Sequence, residues 1–480
     1  MEDSVPLPLN KTKIVVTIGP ASDSPEVLRE LILAGMNVVR LNFSHGDFSG
    51  HAGAIARVRA AAEVVGRRVA IMADLPGPKM RIGKFGEEPV QLAAGEMFTL
   101  TTEDIVGSKE RVSVNFPELP ASVHPGDRLF LNDGYIEMEV VQVDGPDVVC
   151  RVQVGGELRS RKGVNLPGID LGISAFTEHD RKCLEFALRH GVDAVSQSFV
   201  DRADDIAAVR AAAAELGYHP MVIAKIERSG ALKRIEEIMD AADGIMVARG
   251  DLGVEIPIEE MAVAQKRLMR LANLKCKPVI TATQMLESMI TNRLPTRAEA
   301  TDVANAILDG TDAVMLSGES AMGHHPVEAV AMLAKIAAAT ESHRADFGTV
   351  CAGAVMAGNE NIQAEELIAA SVEATIRRIT PATVIVPTHS GGTARGIARF
   401  RLPVWITAVS SQEKTCRDLM FSYGVFPVCE KEHPDRWIDW CRRWREEQKL
   451  TGRYIVLTEG PSRKHPDRNN RMEIIDLGRQ

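Results

Sequence analysis

The chain has 480 residues, enough for several domains and a substantial core. Its net charge of −9 comes from interleaved acids and bases, which argues against a nucleic-acid partner, and no apolar run is long enough to span a membrane. Seven cysteines with no CxxC pair, and an N-terminus without a signal-peptide core, point to reduced thiols in the cytoplasm rather than a disulfide framework or zinc site.

Residues 1–12 read as a loose arm. A first strand at 13–18 stops at Gly19-Pro20, and Ser24-Pro25-Glu26 opens a helix with a cap followed by proline. A strand at 37–41 delivers Arg40, Asn42, Ser44 and His45 at its end, and another at 69–73 delivers Asp74 before Pro76-Gly77-Pro78. From 79 to about 172 the helical period disappears. Short alternating runs replace it, and those at 135–143 and 148–154 flank the hairpin signal Asp144-Gly145-Pro146-Asp147. Strands at 194–198, 221–226, 244–248, 278–283 and 313–317 follow, separated by helices at 177–190, 228–242, 261–274 and 297–308, with a last helix at 327–340.

Polar groups gather at one end of these strands: Arg40, Asp74, Ser198, Lys225, Glu227, Asp251, Thr283 and Ser317. Eight strands alternating with helices predict a TIM (β/α)8 barrel made of 1–78 and 173–345. Residues 79–172 form an inserted β lid over the barrel mouth, and 346–480 a separate C-terminal α/β domain with a regulatory role. That last domain reads as strands at 383–387, 404–408 and 454–458, helices at 364–378, 394–399 and 412–420, and a basic stretch at 463–471.

The stretch 221–253 carries the chemistry. Two apolar strands break into charge, the first at Lys225 and Glu227, the second at Arg249 and Asp251. Carboxylates offering oxygen ligands suit Mg²⁺, and a lysine beside them suits a phosphoryl group in transit. A surface salt-bridge network is the other reading of the same residues. Between the first two C-terminal strands the loop Thr388-His389-Ser390-Gly391-Gly392-Thr393 has the composition of a phosphate cradle, and equally that of an ordinary capped turn.

The runs KIE at 225–227, ARGDLG at 248–253, ATQMLESM at 282–289 and PTRAEATDVANAILDG at 295–310 closely resemble pyruvate kinase, as do RLNFSHG at 40–46, KGVNLPG at 162–168 and MLSGE at 315–319. The resemblance implies phosphoryl transfer from phosphoenolpyruvate to ADP, giving pyruvate and ATP. It implies that Glu227 and Asp251 hold Mg²⁺, for which Mn²⁺ can substitute, and that Lys225 and Arg40 neutralise the transferred group. Ser198, Arg249, Gly250, Asp251 and Thr283 would contact the substrate, the backbone near 249–251 taking its carboxylate. Thr283 and Ser317 would belong to the route that protonates the enolate, and Arg40, His45, Arg81 and Lys162 would meet nucleotide phosphates. A homotetramer is implied, with a sugar-phosphate effector at Thr388, Ser390, Gly391 and Thr393, for which Arg463, Lys464 and Arg468 are further anchors. Two other readings are a Mg²⁺-dependent lyase or mutase and a non-catalytic sugar-phosphate sensor.

One departure is consequential. Much of the family has Asp-Thr-Lys-Gly-Pro-Glu where this chain has DLPGPK at 74–79, so Lys79 replaces the glutamate that accompanies a required K⁺. Asn42, Ser44 and Asp74 retain the other ligands. The ammonium of Lys79 is therefore expected to reach into this pocket as an internal cation, with no requirement for K⁺; a solvated hinge lysine is the plainer alternative. Met322 likewise replaces a common lysine.

Overall fold

The structure, a computed structural model, describes residues 7–344, 362–432, 434–460 and 469–478. Eight parallel strands close into a barrel: Lys13–Thr17, Val38–Asn42, Ala70–Leu75, Ala194–Gln197, Met221–Ile226, Gly244–Ala248, Val279–Ala282 and Ala313–Leu316. They read as unbroken apolar runs because both faces are covered. One face, with Ile14, Val39, Ile71 and Val222, packs under the surrounding helices. The other, with Val15, Met72, Ile223, Met246 and Met315, fills the interior. Local signals start the helices where they are needed. Ser24 accepts from the Val27 N–H, and Thr296 with Glu299 forms a reciprocal capping box.

The predicted helix at 228–242 is two pieces, Ser229–Lys233 and Ile235–Ala241. Arg234 leaves helical geometry between them and ion-pairs with Asp201 at 2.6 Å, a tertiary contact that overrides the local period.

The lid leaves the barrel after Leu75 and is built on a six-stranded sheet. The Asp144–Asp147 turn joins Ile136–Asp144 to Asp147–Val154 as an antiparallel pair. A core of Phe98, Leu129, Ile136, Met138 and others belongs to the lid alone. The C-terminal domain has a five-stranded sheet with helices, two strands more than expected: Val425–Cys429 at one edge and antiparallel Arg471–Asp476 at the other. A helix at Trp437–Glu447, also unassigned from sequence, buries Trp437, Trp440 and Trp444 on one stripe.

The C-terminal domain closes the base of the barrel. Met420 and Phe421 belong to the same buried cluster as the barrel's interior residues, and Phe421 is fully buried. Nearby, Arg401 binds the Asp312 carboxylate with both terminal nitrogens, at 2.6 and 2.7 Å. The Tyr423 N–H donates to the same carboxylate at 2.8 Å.

Lys13 crosses this junction. It is 3% exposed, donates to the Val425 carbonyl at 2.7 Å and lies 5.1 Å from the Trp405 ring centre. Burial pushes its ammonium from 10.5 down to about 7, against the pull of Glu341 and Asp312. Above that pH the unfolded chain holds a proton that the folded chain has shed. Stability from this group therefore rises with pH between the two values, by up to about 1.4 kcal/mol per pH unit. Urea unfolding of the wild type and Lys13→Met is expected to show the wild type gaining on the variant from pH 7 to 9, with a constant difference below pH 6. A difference independent of pH across both ranges contradicts this assignment.

Candidate active site

Lys225 lies near the end of the fifth barrel strand, and Glu227 follows two residues later on the same face of the pleat, so both side chains enter the mouth. The Lys225 ammonium lies 2.8 Å from Glu227 Oε1, 2.6 Å from Ser198 Oγ and 3.4 Å from Asp74. Ser198 in turn donates to the Leu75 carbonyl at 2.7 Å. Asp74 accepts from Arg40 Nε and Nη2 at 2.9 and 2.5 Å and from Ser196 at 2.7 Å. Burial works against the charges on Lys225 and Asp74, but the charged partners outweigh it. Asp74 and Glu227 hold Lys225 above the usual lysine value, and Lys225 and Arg40 hold Asp74 below the usual carboxylate range.

Arg40, Asp74, Lys225 and Glu227 thus balance in charge. Asp251, in the short helix Arg249–Glu255, breaks the balance. Its carboxyl is pushed up to about 6, by burial first and by Glu227 second. No hydrogen bond from the described residues reaches it. Two adjacent carboxylates, one without a donor, are a fitting oxygen set for a divalent cation.

Thr283 follows the seventh strand with φ +65°, and Gln284 has φ +53°, both in the left-handed region that β-branched and long side chains avoid. The Thr283 hydroxyl donates to the Ala282 carbonyl and accepts from the Gly250 N–H at 2.8 Å. The Arg249 guanidinium turns away from the mouth, bonding the Ala282 and Thr283 carbonyls and Asp302. A Cβ on Gly250 would sit 3.5 Å from Thr283 Oγ1, an ordinary contact, so the fold itself does not require glycine there. Ser317 donates its N–H to Glu319, whose other oxygen accepts from Leu286, tying the ends of the seventh and eighth strands together. No hydrogen bond joins Thr283 to Ser317 among the described residues.

The cationic side of the mouth brings together His45, Lys79, Arg81 and Arg40. Burial lowers the His45 pKa first, and the three cations lower it further. Arg81 and Gly163 pair across two lid segments, which sets Lys162 beside Arg81, and Arg81 also donates to the Arg161 carbonyl at 2.9 Å.

Lys79 is not where the sequence placed it. Its side chain is exposed and makes no hydrogen bond to Asn42, Ser44 or Asp74. Asn42 Oδ1 accepts instead from the Ser44 N–H, and Asp74 is already compensated by Arg40 and Lys225. A third cation gains little by moving in. The charge of Lys79 acts on Asp251 and His45.

Sequence reasoning passed over Thr17, Ser196 and Asp133. Thr17 accepts from Arg40 at 3.1 Å, and Asp133 of the lid raises the Asp251 pKa. The signal for Thr17 and Ser196 was a hydroxyl inside an apolar strand; for Asp133, an Asn-Asp-Gly turn.

The loop at 388–393 lies in the C-terminal domain. Thr388 Oγ1 accepts from the Gly391 N–H, and Gly391 has φ +83°, where a Cβ would crowd Leu419 at 3.0 Å. Ser390 is exposed, and Thr393 lies in the first turn of the helix Gly392–Ala398. Arg463, Lys464 and Arg468 lie outside the described residues.

Comparison with known proteins gives matches along nearly the whole chain. The family model "Pyruvate kinase, barrel domain" matches residues 9–330, and "Pyruvate kinase, alpha/beta domain" matches 366–475. A pyruvate kinase of Thermococcus litoralis is 49% identical over 89% of this chain and 90% of its own length. One from Thermotoga maritima is 40% identical over 94% and 96%. The crystal structure of a pyruvate kinase from Cryptosporidium parvum superposes with a TM-score of 0.91 at 35% identity, covering 98% of this chain and 96% of that one.

Proposed function

This chain belongs to the pyruvate kinase family, and on that premise we propose how its residues divide the reaction between them. The chain is a phosphotransferase that moves the phosphoryl group of phosphoenolpyruvate to ADP, giving pyruvate and ATP, a step of glycolysis. The observation that carries the assignment of roles is the Glu227–Asp251 pair beside Lys225.

Glu227 and Asp251 would hold Mg²⁺, or Mn²⁺ in its place, which when bound screens the substrate's carboxylate and phosphoryl oxygens. Lys225, oriented by Ser198, places a compact positive charge beside the phosphoryl group, and Arg40 offers a further donor. The first-turn backbone N–H groups of Arg249–Asp251, of which that of Gly250 now donates to Thr283, orient the substrate carboxylate. Thr283 stands at the strand end where the enolate carbon would receive its proton, and Ser317 extends that route. His45, Arg81 and Lys162 receive the nucleotide phosphates, so closure of the lid brings ADP to the barrel-bound substrate. We take 1–78 and 173–345 as the barrel, 79–172 as the lid and 346–480 as the regulatory domain, in a cytoplasmic homotetramer whose loop at 388–393 binds a sugar phosphate.

Release of pyruvate from phosphoenolpyruvate that requires both ADP and Mg²⁺ tests the central reading. A lyase would dispense with ADP, and a sensor would release nothing.

The same charges argue that K⁺ is not required. Arg40 and Lys225 already compensate Asp74 and Glu227, and the exposed Lys79 adds a longer-range positive charge toward Asp251. A further monovalent cation a few ångströms from an ammonium would meet several kcal/mol of repulsion at an effective dielectric of about 20. Activity in Na⁺ or tetramethylammonium is expected to equal that in K⁺. Strong K⁺ stimulation of the wild type rules the idea out.

A further inference from the structure

The helix Glu413–Asp418 and the edge strand Val425–Cys429 meet where the C-terminal domain docks on the barrel. Glu413 and Cys416 stand about one turn apart on one face of that helix, and Cys429 ends the strand beside it. A carboxylate oxygen of Glu413 and the two Sγ atoms lie within 4.8 Å of one another. Among the described residues, no other trio of histidine, cysteine, aspartate or glutamate ligand atoms comes so close. Cys416 is buried, Cys429 is half-buried and Glu413 is exposed at the edge, which leaves an ion a way in. No two cysteines form a CxxC pair in the sequence, so folding supplies an adjacency that spacing does not.

The surroundings suit a ligand set. Arg68 of the barrel donates to the two Glu413 oxygens at 3.2 and 3.0 Å and to the Pro427 carbonyl at 2.9 Å. Arg417 donates to Glu413 Oε1 at 3.3 Å and to Asp193 of the barrel at 3.0 Å. These bonds take three of the carboxylate's roughly four acceptor positions and leave one open. Two thiolates and a carboxylate exceed a divalent ion by one negative charge, and the two guanidiniums are placed to cover the excess. Tetrahedral Zn²⁺, about 2.3 Å from sulfur and about 2.0 Å from oxygen, sets such atoms about 3.5–3.8 Å apart, so the trio has to contract by little more than about 1 Å. Oxidation accounts for the group less well. Burial pushes both thiols up, Cys416 to about 12, and Glu413 reinforces it. Such thiols attack an oxidant slowly, and a disulfide would make no use of the carboxylate.

We propose that Glu413, Cys416 and Cys429 bind one Zn²⁺ ion, with water in the fourth position. Two soft sulfurs select zinc over Mg²⁺, which takes oxygen ligands such as the Glu227–Asp251 pair. The ion would fasten the helix to the edge strand. Through Arg68 and Arg417 it would also brace the C-terminal domain against the barrel, just before Met420 and Phe421 enter the barrel's base. Its role is structural and separate from the chemistry at the mouth.

Titration of the reduced, metal-free full chain with Co²⁺, followed by its absorption spectrum, tests this. A sulfur-to-cobalt charge-transfer band is expected to grow to one equivalent and to vanish when Zn²⁺ displaces the cobalt. Co²⁺ on the all-oxygen Glu227–Asp251 pair gives no such band, so the result is independent of the catalytic assignments. Cys416→Ser and Cys429→Ser are each expected to remove at least about half of the band, one thiolate of two. Glu413→Gln is expected to keep the band but weaken Co²⁺ binding about tenfold or more, and Cys276→Ser to change neither. Should Cys416→Ser fail to fold, the half-buried Cys429 carries the test. No band with Co²⁺ up to about 1 mM overturns the proposal. So does a band of full height in Cys429→Ser, or one lost with Cys276→Ser. Unchanged affinity in Glu413→Gln would strike the carboxylate from the ligand set.

Discussion

Lys225→Met is expected to lower kcat about 10²–10³-fold or more, with a much smaller change in substrate affinity. The ammonium it removes is held by Glu227, Ser198 and Asp74 within 2.6–3.4 Å, so in the wild type it needs no reorganisation as charge develops on the phosphoryl group. Stability changes with it. Without Lys225, Arg40 is the one buried cation left among the described residues near the carboxylates of Asp74, Glu227 and Asp251. Breaking such a network costs about 3–5 kcal/mol. The metal-free variant is therefore expected to melt below the wild type, and Mg²⁺ to recover more of the deficit in the variant than it adds to the wild type. A coupled assay for pyruvate and thermal melts with and without Mg²⁺ check both parts. Turnover near wild type removes Lys225 from the mechanism.

Phe421→Ala is expected to destabilise the protein by about 3–5 kcal/mol, although Phe421 lies far in sequence from every barrel strand. Its ring is fully buried in the cluster that holds Met72, Ile223, Met246 and Met315, so truncation opens a cavity at the base of the barrel. The exposed Met322→Ala, 68% accessible, serves as the contrast, with an expected change within about 0.5 kcal/mol. Urea unfolding of the three proteins decides the matter. A loss of less than about 1 kcal/mol for Phe421→Ala means that the C-terminal domain does not close the barrel.

The barrel was legible because its strands are covered on both faces and end in polar groups on one side, and both facts are written into short stretches of sequence. Lys225 and Glu227 were legible for the same reason: two charges two residues apart at the end of an apolar run share a face. The strand Val425–Cys429 was not, because Pro427 argues against a strand. It is tolerated there because the strand is at the sheet's edge, where a missing N–H goes unnoticed. Arg471–Asp476 follows a basic stretch and is mostly exposed, so it carries little apolar signal. The Trp437–Trp440–Trp444 stripe was readable at helical spacing but was passed over among the charges around it. Phe421 and Lys79 show the deeper limit. One plugs a barrel and the other stays out of a pocket, and both outcomes depend on residues hundreds or tens of positions away. A composition window does not contain that information.

The turn after the seventh barrel strand stores free energy. Two successive non-glycine residues at positive φ, Thr283 and Gln284, cost about 1–3 kcal/mol each relative to relaxed backbone. The Arg249 guanidinium, braced by Asp302, holds the carbonyls of Ala282 and Thr283 and keeps the turn wound. A selection for heat resistance alone would relax this spring, most directly by glycine at 283, and would discard the hydroxyl along with the strain. Glycine at 284 separates the two effects, because it unwinds the second strained residue and leaves the Thr283 hydroxyl on the Gly250 N–H. On the role proposed for Thr283, durability and turnover compete at one residue and can be reconciled at the next.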